Sequence, residues 1–570
     1  MHWVHRPADA DSIARLVHPD GSVNPLLAEL LAGRGIGDRR TAEAFLKPQL
    51  PQLSDPLALK GMPEAVERLR QAVARKESIL IFGDYDVDGV TSTVVLTDFL
   101  NEFGLQPRFV VPHRLQEGYG LSLDSLERAL AHSKPDLLLA VDCGTSSASE
   151  TAWLREKGID VLIIDHHTSK EALPEDCLLI NPHVRDPETA PWKHLCSVGL
   201  VFKVCHAMVK VLRREKNPIA VNIDIRDYLD LVAMGTVADL VPLTGENRIL
   251  VKKGLQRLMK CRRPGICTLM EASGINLGAT ITPFDIGFRL GPRINASGRL
   301  EDASLPINLL LSEQWQDCRD MAHALDELNQ ERQTIERSIS DQALARVADE
   351  FKDDPGIVLE DTEWHAGVVG IVASRVSRAF NRPTLILGHE GEGMYKGSGR
   401  SIEGVDLVEI LKSCDDSIQQ WGGHPMAVGL TVREDEVASL RTAFKAALTR
   451  QFPEGLPEKR LLIDLNLTAE DLTESLLEDL QRLAPFGQGN PEPLFALQRV
   501  FVNRITALGT HHFRFHLITG NTPVEGVAWN MAENKPPEGV ALDLAVRFSW
   551  NEWRGNRSPR LTLIDWKQSA

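Results

Sequence analysis

The chain has 570 residues, 43% hydrophobic and 25% charged, an ordinary globular composition too long for one core; three or so domains is the natural division. The formal net charge is −16, which argues against binding nucleic acid over the whole surface but leaves room for a local basic groove and for carboxylates gathered around divalent cations. No apolar h-region opens the chain and no later stretch is apolar enough to span a membrane. The 8 cysteines, at 143, 177, 196, 205, 261, 267, 318 and 414, form no C-x-x-C pair, so they read as small buried thiols of a cytoplasmic protein rather than a disulfide or zinc framework.

Residues 1–60 read as an N-terminal arm punctuated by "LKPQLPQLSDPLAL". Over 61–320 the runs "SILIF", "RFVVP", "DLLLAV", "DVLII" and "CLLIN" alternate with helical stretches. That alternation predicts an α/β domain with a parallel sheet and helices on both faces. "SVGLVFKVCHAMVKVL" (197–212) and "YLDLVAMG" (228–235) continue as helices. Residues 321–352 carry a narrow apolar stripe on a long charged helix, suited to connecting two domains. Strands resume at "GIVLE" and "PTLILG", so a smaller α/β unit is expected over 353–452. From 453 to 570, "FRFHLIT", "LDLAVRFSWNEW" and "PRLTLIDW" alternate with a period of two and predict a small antiparallel β-barrel.

"FGDYDVDGV" begins like a calcium loop, but position twelve counted from Asp84 is Val95 rather than a bidentate Glu, and a strand precedes it instead of a helix. The acids therefore sit on a strand-to-helix turn, the edge of an open α/β sheet where ligands bind. The same placement recurs. Asp142 ends "LLLAVDCG", Asp165, His166 and His167 end "VLIIDHH", and Asp239 follows the helix in "MGTVADLVPL". Each alone could be a turn acid, an N-cap or a core histidine. Together with Asp84 and Asp86 they are carboxylates that repel unless cations neutralise them, and oxygens with one imidazole suit Mn²⁺ or Mg²⁺.

"DYDVDG", "VDCG", "DHH" and "GTVADLVPL", in this order, resemble the four motifs of the DHH phosphoesterase superfamily. "GSGRSIEGVDL" and "GGHPMAVGL" resemble its DHHA1 domain, and "APFGQGNPEPLF" with the β-rich tail resembles the RecJ family of bacterial single-strand-specific DNA exonucleases, whose C-terminal domain is an OB-fold. The resemblance implies two divalent cations. Asp142 would bridge them, Asp84 would join it on one, and Asp86, His166 and Asp239 would hold the other. His167 would orient a neighbour, and Asp88 and Asp165 would do the same or serve the turn. The sequence departs from DHH pyrophosphatases at Leu80, where those enzymes carry a histidine ligand.

The resemblance also implies His424 as donor to the scissile phosphate, Ser398 and Arg400 as a pocket for a terminal 5′-phosphate, and Arg293, Asn295 and Arg299 flanking the cleaved bond. Arg114 would bind phosphate and Tyr119 would stack on a base. In "SWNEWRGNRSPR", Trp550 and Trp553 interleave with Arg554, Arg557 and Arg560, the mixture an OB-fold uses for single strands; a charged hairpin with core tryptophans is the alternative. The implied activity is 5′-to-3′ hydrolysis of single-stranded DNA to mononucleotides in recombination and repair. The implied partners are a single-strand-binding protein and a RecQ-type helicase, with the enzyme a cytoplasmic monomer and no membrane involved. Polarity rests on the resemblance alone. Two other classes fit parts of the pattern: a DHH enzyme for small substrates such as pyrophosphate or cyclic dinucleotides, which has no use for a barrel, and a non-catalytic strand-binding scaffold, which would have lost the metal ligands.

Overall fold

The computed structural model describes residues 1–569 apart from 19, 113–119, 132, 170–171, 301–302, 392, 520–521 and 554–555, and describes backbone alone at 299–300, 518–519, 522–523 and 553. The chain opens with strand β1 (His2–His5) and, further on, helices Pro25–Ala32 and Arg39–Leu46. Next comes a five-stranded parallel sheet of β2 (Ile79–Gly83), β3 (Arg108–Val110), β4 (Leu137–Val141), β5 (Asp160–Ile164) and β6 (Leu178–Ile180) in the order β3-β2-β4-β5-β6. β2 and β4 are apolar at every position because both faces are covered. Ile79 and Ile81 enter one core, and Leu80 and Phe82 the other. Leu80, the departure from the pyrophosphatases, is thus a core residue.

Helix Trp315–Glu350, 36 residues and about 54 Å long at ~1.5 Å per residue, begins six residues before the predicted start at 321. Its first turns put Cys318, Ala322 and Leu325 into the core of the parallel-sheet domain. Its last turns put Ile339, Ala343 and Val347 into the core of the next domain. One rigid element is therefore rooted at both ends, with polar Asn329, Arg332 and Glu336 buried between. The second α/β domain is a mixed sheet of β7 (Ile357–His365), β8 (Thr384–Gly391), β9 (Met394–Arg400), β10 (Gln420–His424) and β11 (Ala427–Arg433), ordered β10-β11-β9-β8-β7.

The tail comprises β12 (Arg460–Ile463), β13 (Leu465–Leu467), β14 (Phe495–Leu508), β15 (His512–Thr519), β16 (Thr522–Ala528), β17 (Ala541–Trp553) and β18 (Asn556–Gln568). β14, β15, β16, β18 and β17 close into a ring through β14–β17. The expected antiparallel barrel is not wholly antiparallel, since β16 and β18 run parallel. A closed ring of five strands cannot alternate direction all the way round, so one parallel pair is unavoidable.

Residues 1–60 are no separate arm. β1 pairs in parallel with β12, and Leu27, Leu30, Leu31 and Leu46 share one core with Phe495, Phe513 and Leu561 of the barrel. The hydrophobic faces of two short amphipathic helices need a partner, and the nearest in sequence is not the one they use. Arg248, 2% exposed on the parallel-sheet domain, ties this composite module down. It donates to the carbonyl oxygens of Phe45 (2.9 Å), Arg482 (3.1 Å) and Ala484 (3.0 Å) and lies 3.7 Å over the Phe45 ring. Of the 8 cysteines, Cys261 and Cys267 are brought together, their Cα atoms 5.4 Å apart across the turn before helix Pro264–Ala272, a proximity that spacing alone does not reveal. Among the described residues no helix is long and apolar enough to cross a membrane.

Deleting residues 455–570 alone uncovers the apolar faces of the N-terminal helices and is expected to give aggregated protein. Deleting 1–47 as well removes those faces and is expected to leave a soluble remainder, a difference that size-exclusion chromatography reads directly. Arg248→Ala leaves three part-buried carbonyls without this donor and should cost about 1–3 kcal/mol, seen as a lowered thermal midpoint.

Candidate active site

Gly83, Val141 and Ile164 are register partners on β2, β4 and β5. The residues that follow them, Asp84, Asp142 and Asp165, therefore leave the sheet side by side. Asp142 adopts a left-handed backbone (φ 62°), a conformation costing a non-glycine residue ~1–2 kcal/mol and common where function holds it. Asp86 caps helix Val87–Glu102, its Oδ1 accepting from the N–H groups of Asp88 (2.9 Å) and Gly89 (3.1 Å). Gly89 is required by packing, since a Cβ there would lie 2.4 Å from the Asp84 carbonyl oxygen. Asp239 arrives from the other side as the C-cap of helix Leu229–Ala238.

These placements gather three overlapping groups whose candidate ligand atoms lie within 4.8 Å of one another: Asp84 with Asp86 and Asp142; Asp88 with His166 and Asp239; and Asp142 with His166 and His167. Asp142 and His166 each belong to two of them; Asp86 falls with Asp84 and Asp142 rather than with His166 and Asp239 as expected, and Asp88 stands in its place. His166 Nε2 stands 3.4 Å from Asp239 Oδ2 and 3.5 Å from Asp142 Oδ1. His166 Nε2 and Asp239 Oδ2 are both buried without a hydrogen-bond partner. An orphaned buried polar atom costs ~1–3 kcal/mol, and two aimed at one spot among carboxylates fit a cation. The donor set of oxygens with one imidazole suits Mn²⁺ or Mg²⁺.

The electrostatics agree. Burial, then the charges of Asp88, Asp86 and Asp84, push Asp142 well above the carboxylate range. Burial, then Asp88 and Asp86, raise Asp239 to about 9, and burial with Asp86 raises Asp88 to about 6. Burial and the neighbouring His167 lower His166 to about 3, keeping it neutral as a ligand must be. Burial works against Asp165 too, but His167 and Thr145 hold it below the usual range. Burial likewise opposes a charged His167, yet the 2.7 Å hydrogen bond to Asp165 carries it to about 9. His167 is therefore a held cation beside the acids.

Further residues hold this arrangement that the sequence reading did not single out. Ser197, opening helix Ser197–Arg214, donates through Oγ to Asp142 Oδ1 (2.9 Å), while its N–H and that of Val198 donate to Asp88 at 2.7 and 2.8 Å. Asn181 donates to Thr145 Oγ1 and to the His167 carbonyl. A serine opening an apolar helix was the only visible signal. Asp88 and Asp165 thus serve as hydrogen-bonding residues, with Asp88 also inside one ligand group.

A cavity of about 1010 Å³ separates the catalytic domain, the bridging helix and the second α/β domain. Tyr85 and Ala238, chain neighbours of the acids, lie on its wall together with Asn295. Across from them stand Arg332 and Arg337 of the bridging helix and Arg375 and Arg378 of helix Val369–Phe380, cations the motif search missed although the last two share a helix face. Ser398 and Arg400 line the cavity and meet, Arg400 Nη1 donating to Ser398 Oγ at 2.8 Å. Gly370 stands against both, where a Cβ would come within 3.2 Å of each. Gly422 and Gly429 are register partners on β10 and β11, exposed, with open space where each Cβ would be. Gly423 has φ 142°, and its Cβ would strike the Ala427 carbonyl oxygen at 2.4 Å, so that glycine serves the hairpin.

Not every predicted residue joins the site. Arg293 is turned to the bridging helix, paired with Asp326 (2.8 Å) and the Arg289 carbonyl (2.6 Å), and does not line the cavity; the helical phase of Gly291–Leu300 points Asn295 there instead. His424 is exposed at the end of β10, with no hydrogen bond or ion pair to the acids among the described residues. Trp550 is half-buried against the barrel core, with the Arg557 guanidinium 3.6 Å over its ring, and lines a second cavity of about 630 Å³. Arg114, Tyr119 and Arg554 lie outside the described residues, as do the side chains of Arg299 and Trp553.

Residues 78–236 match the DHH family, N-terminal domain, residues 338–450 match the DHHA1 domain, and residues 463–565 match the RecJ OB domain. The single-stranded-DNA-specific exonuclease RecJ of Salmonella typhimurium is 36% identical over 98% of this chain and 98% of its own. The crystal structure of RecJ from Thermus thermophilus in complex with Mn²⁺ superposes with a TM-score of 0.82 at 30% identity, covering 100% of this chain and 79% of that one. Its Mg²⁺ complex gives 0.76 at 29% identity, covering 100% and 78%.

In metal-free protein, acids whose folded pKa lies above the unfolded value lose folded-state stability as pH rises from ~4 through about 6 (Asp88) and about 9 (Asp239). Bound cations compete with those protons. The Mn²⁺-induced rise in thermal midpoint of chelator-treated protein should therefore grow between pH 6 and 9. Asp142→Asn should abolish most of that rise together with activity. A shift equal in both proteins would remove Asp142 from the centre.

Proposed function

The chain belongs to the RecJ family, and from that membership we propose that it is a metal-dependent exonuclease specific for single-stranded DNA, working from a free 5′ end and releasing mononucleotides. The observation that carries this reading is the carboxylate–imidazole cluster beside a cleft whose far wall is cationic. Asp84, Asp86, Asp142, His166 and Asp239 would hold two divalent cations, Asp142 between them. When bound, such a pair supplies a water activated for in-line attack on phosphorus and offsets charge on the departing 3′ oxygen.

The protein's own groups do the rest. Asp165 holds His167 protonated beside the acids, where it can donate to a phosphate oxygen. Ser197 and Asn181 fix the carboxylate and the histidine backbone. Ser398 and Arg400, with the first turn of helix Val369–Phe380, offer hydroxyl, guanidinium and helix N-terminus to a terminal phosphate. The open backbone at Gly422 and Gly429 admits a strand closely, two residues along from His424, which would reach the phosphate only once a strand is bound. The composite barrel would hold the strand beyond the cleft, a part with no use in cleaving a dinucleotide-sized substrate. A cytoplasmic setting in recombination and repair, with a single-strand-binding protein and a RecQ-type helicase as partners, belongs to the same proposal by family membership.

The test is digestion of a strand labelled at either end, with the products sized. Mononucleotides should appear first from the 5′ end, and circular single strands and blunt duplex should survive. Rapid loss of a circle would contradict the exonuclease reading. Arg400→Ala should reduce use of 5′-phosphorylated ends more than 5′-hydroxyl ends; equal loss on both would remove it from the terminal pocket.

A further inference from the structure

Phe284 and Phe288 are 63% and 68% exposed, yet they stack on each other with ring centroids 4.7 Å apart and planes 25° apart. Exposed apolar surface of this kind, held in one place, marks a binding surface more often than an accident. It is held firmly. Ile286 and Leu290 anchor the same turn, both fully buried. Thr282 and Asp285 form a reciprocal cap, and Arg289 ties the turn back through Asp285 (3.1 Å) and the carbonyl oxygens of Ser273 and Gly274. The spacing of four residues puts both rings on the side opposite the anchors.

The location gives the pair its meaning. Phe288 lines the catalytic cleft alongside Tyr85 and Asn295, whose Oδ1 is buried without a hydrogen-bond partner. Phe284 lines the second cavity, whose opposite wall carries Phe548 and Trp550 of the barrel. A single short turn thus touches both cavities, and aromatic faces run from beside the acids to the barrel. Cations line the catalytic cleft, while the second cavity is mainly apolar, which divides the surface between phosphates and bases.

We propose that Phe284 and Phe288 form a stacking platform for the bases of the single strand, carrying its 3′-ward part from the catalytic cleft to the Trp550 side of the barrel. The inference rests on the exonuclease reading above and adds a route for the strand. Stacking is indifferent to base identity because every base has a π-face, which suits an enzyme that advances along any sequence.

The test uses the full chain with Mn²⁺ and 5′-phosphorylated oligodeoxynucleotides carrying one abasic residue moved stepwise from the 5′ end. In the wild type, one or two abasic positions should raise KM. Phe284→Ala/Phe288→Ala should raise KM for intact strands by about five- to a hundredfold, leave kcat at saturation and the salt dependence of binding unchanged, and erase the penalty at those abasic positions. Oligonucleotides too short to reach the platform should be cleaved as by the wild type. Phe284→Trp/Phe288→Trp should restore KM, whereas Phe284→Leu/Phe288→Leu, apolar but without a π-face, should not. Wild-type KM in the alanine variant, abasic penalties that persist unchanged in it, or full rescue by leucine would each overturn the platform. If the wild type hydrolyses no single strand, the exonuclease reading fails, and the same comparison made by metal-free binding still decides whether the rings stack on bases.

Discussion

Mutual repulsion among buried carboxylates is the constraint around which the catalytic domain is built. Asp84, Asp142 and Asp165 leave neighbouring strands at one level, and Asp86, Asp88 and Asp239 close in from helix ends. Each acid that is not to be a ligand is neutralised locally: Asp165 by His167 and Thr145, and Asp88 in large part by two backbone N–H groups of helix Ser197–Arg214. Asp239 Oδ2 and His166 Nε2, 3.4 Å apart and buried, face one another with no hydrogen-bond donor or acceptor supplied to either. That division separates a metal centre from an acidic surface, where water would screen each charge independently.

The cleft depends on a second constraint, the bridging helix. Because Cys318, Ala322 and Leu325 are fixed in one core and Ile339, Ala343 and Val347 in another, the space between the two α/β domains is set by a rod rather than a hinge loop. The buried Arg332–Glu336 pair at 2.9 Å, joined by Arg375, sits midway on the cleft wall. A rigid separation suits a channel that must admit one strand and refuse two. It also holds the arginines of the cavity wall at a constant reach from the acids.

The barrel is coupled to the metal centre through the segment after Asp239. The Leu243 N–H donates to the Gln488 carbonyl at 2.7 Å, and a Cβ on Gly487 or Gly489 would press on Leu243 or Pro242 within 3.0 Å. The "APFGQGN" stretch is therefore a docking surface for the loop that follows Asp239. With Arg248 holding the N-terminal helices and the barrel together, the two chain ends form one module fastened behind the active site. The two stacked phenylalanines lie on the strand-facing side of that junction.

The sequence by itself determined the parallel sheet, the gathering of acids at one sheet edge and the order of the matched domains, because these rest on local signals: apolar runs with period two or none, acids directly following strands, and motifs with fixed spacing. Adjacent parallel strands then deliver such acids to one edge without further information. Tertiary structure alone decided the rest, which depends on partners distant in the chain. Residues 1–60 read as an arm because the apolar faces of their helices up to Leu46 are covered by the barrel, whose core starts more than four hundred residues later. Arg293 and Asn295, two positions apart, looked equally suited to phosphate until helical phase turned one to Asp326 and the other to the cleft. The cationic wall of Arg332, Arg337, Arg375 and Arg378 was unreadable for the same reason: each reads in the sequence as an ordinary helix arginine until the bridging helix and helix Val369–Phe380, packed in one core, bring all four to the lining of one cavity.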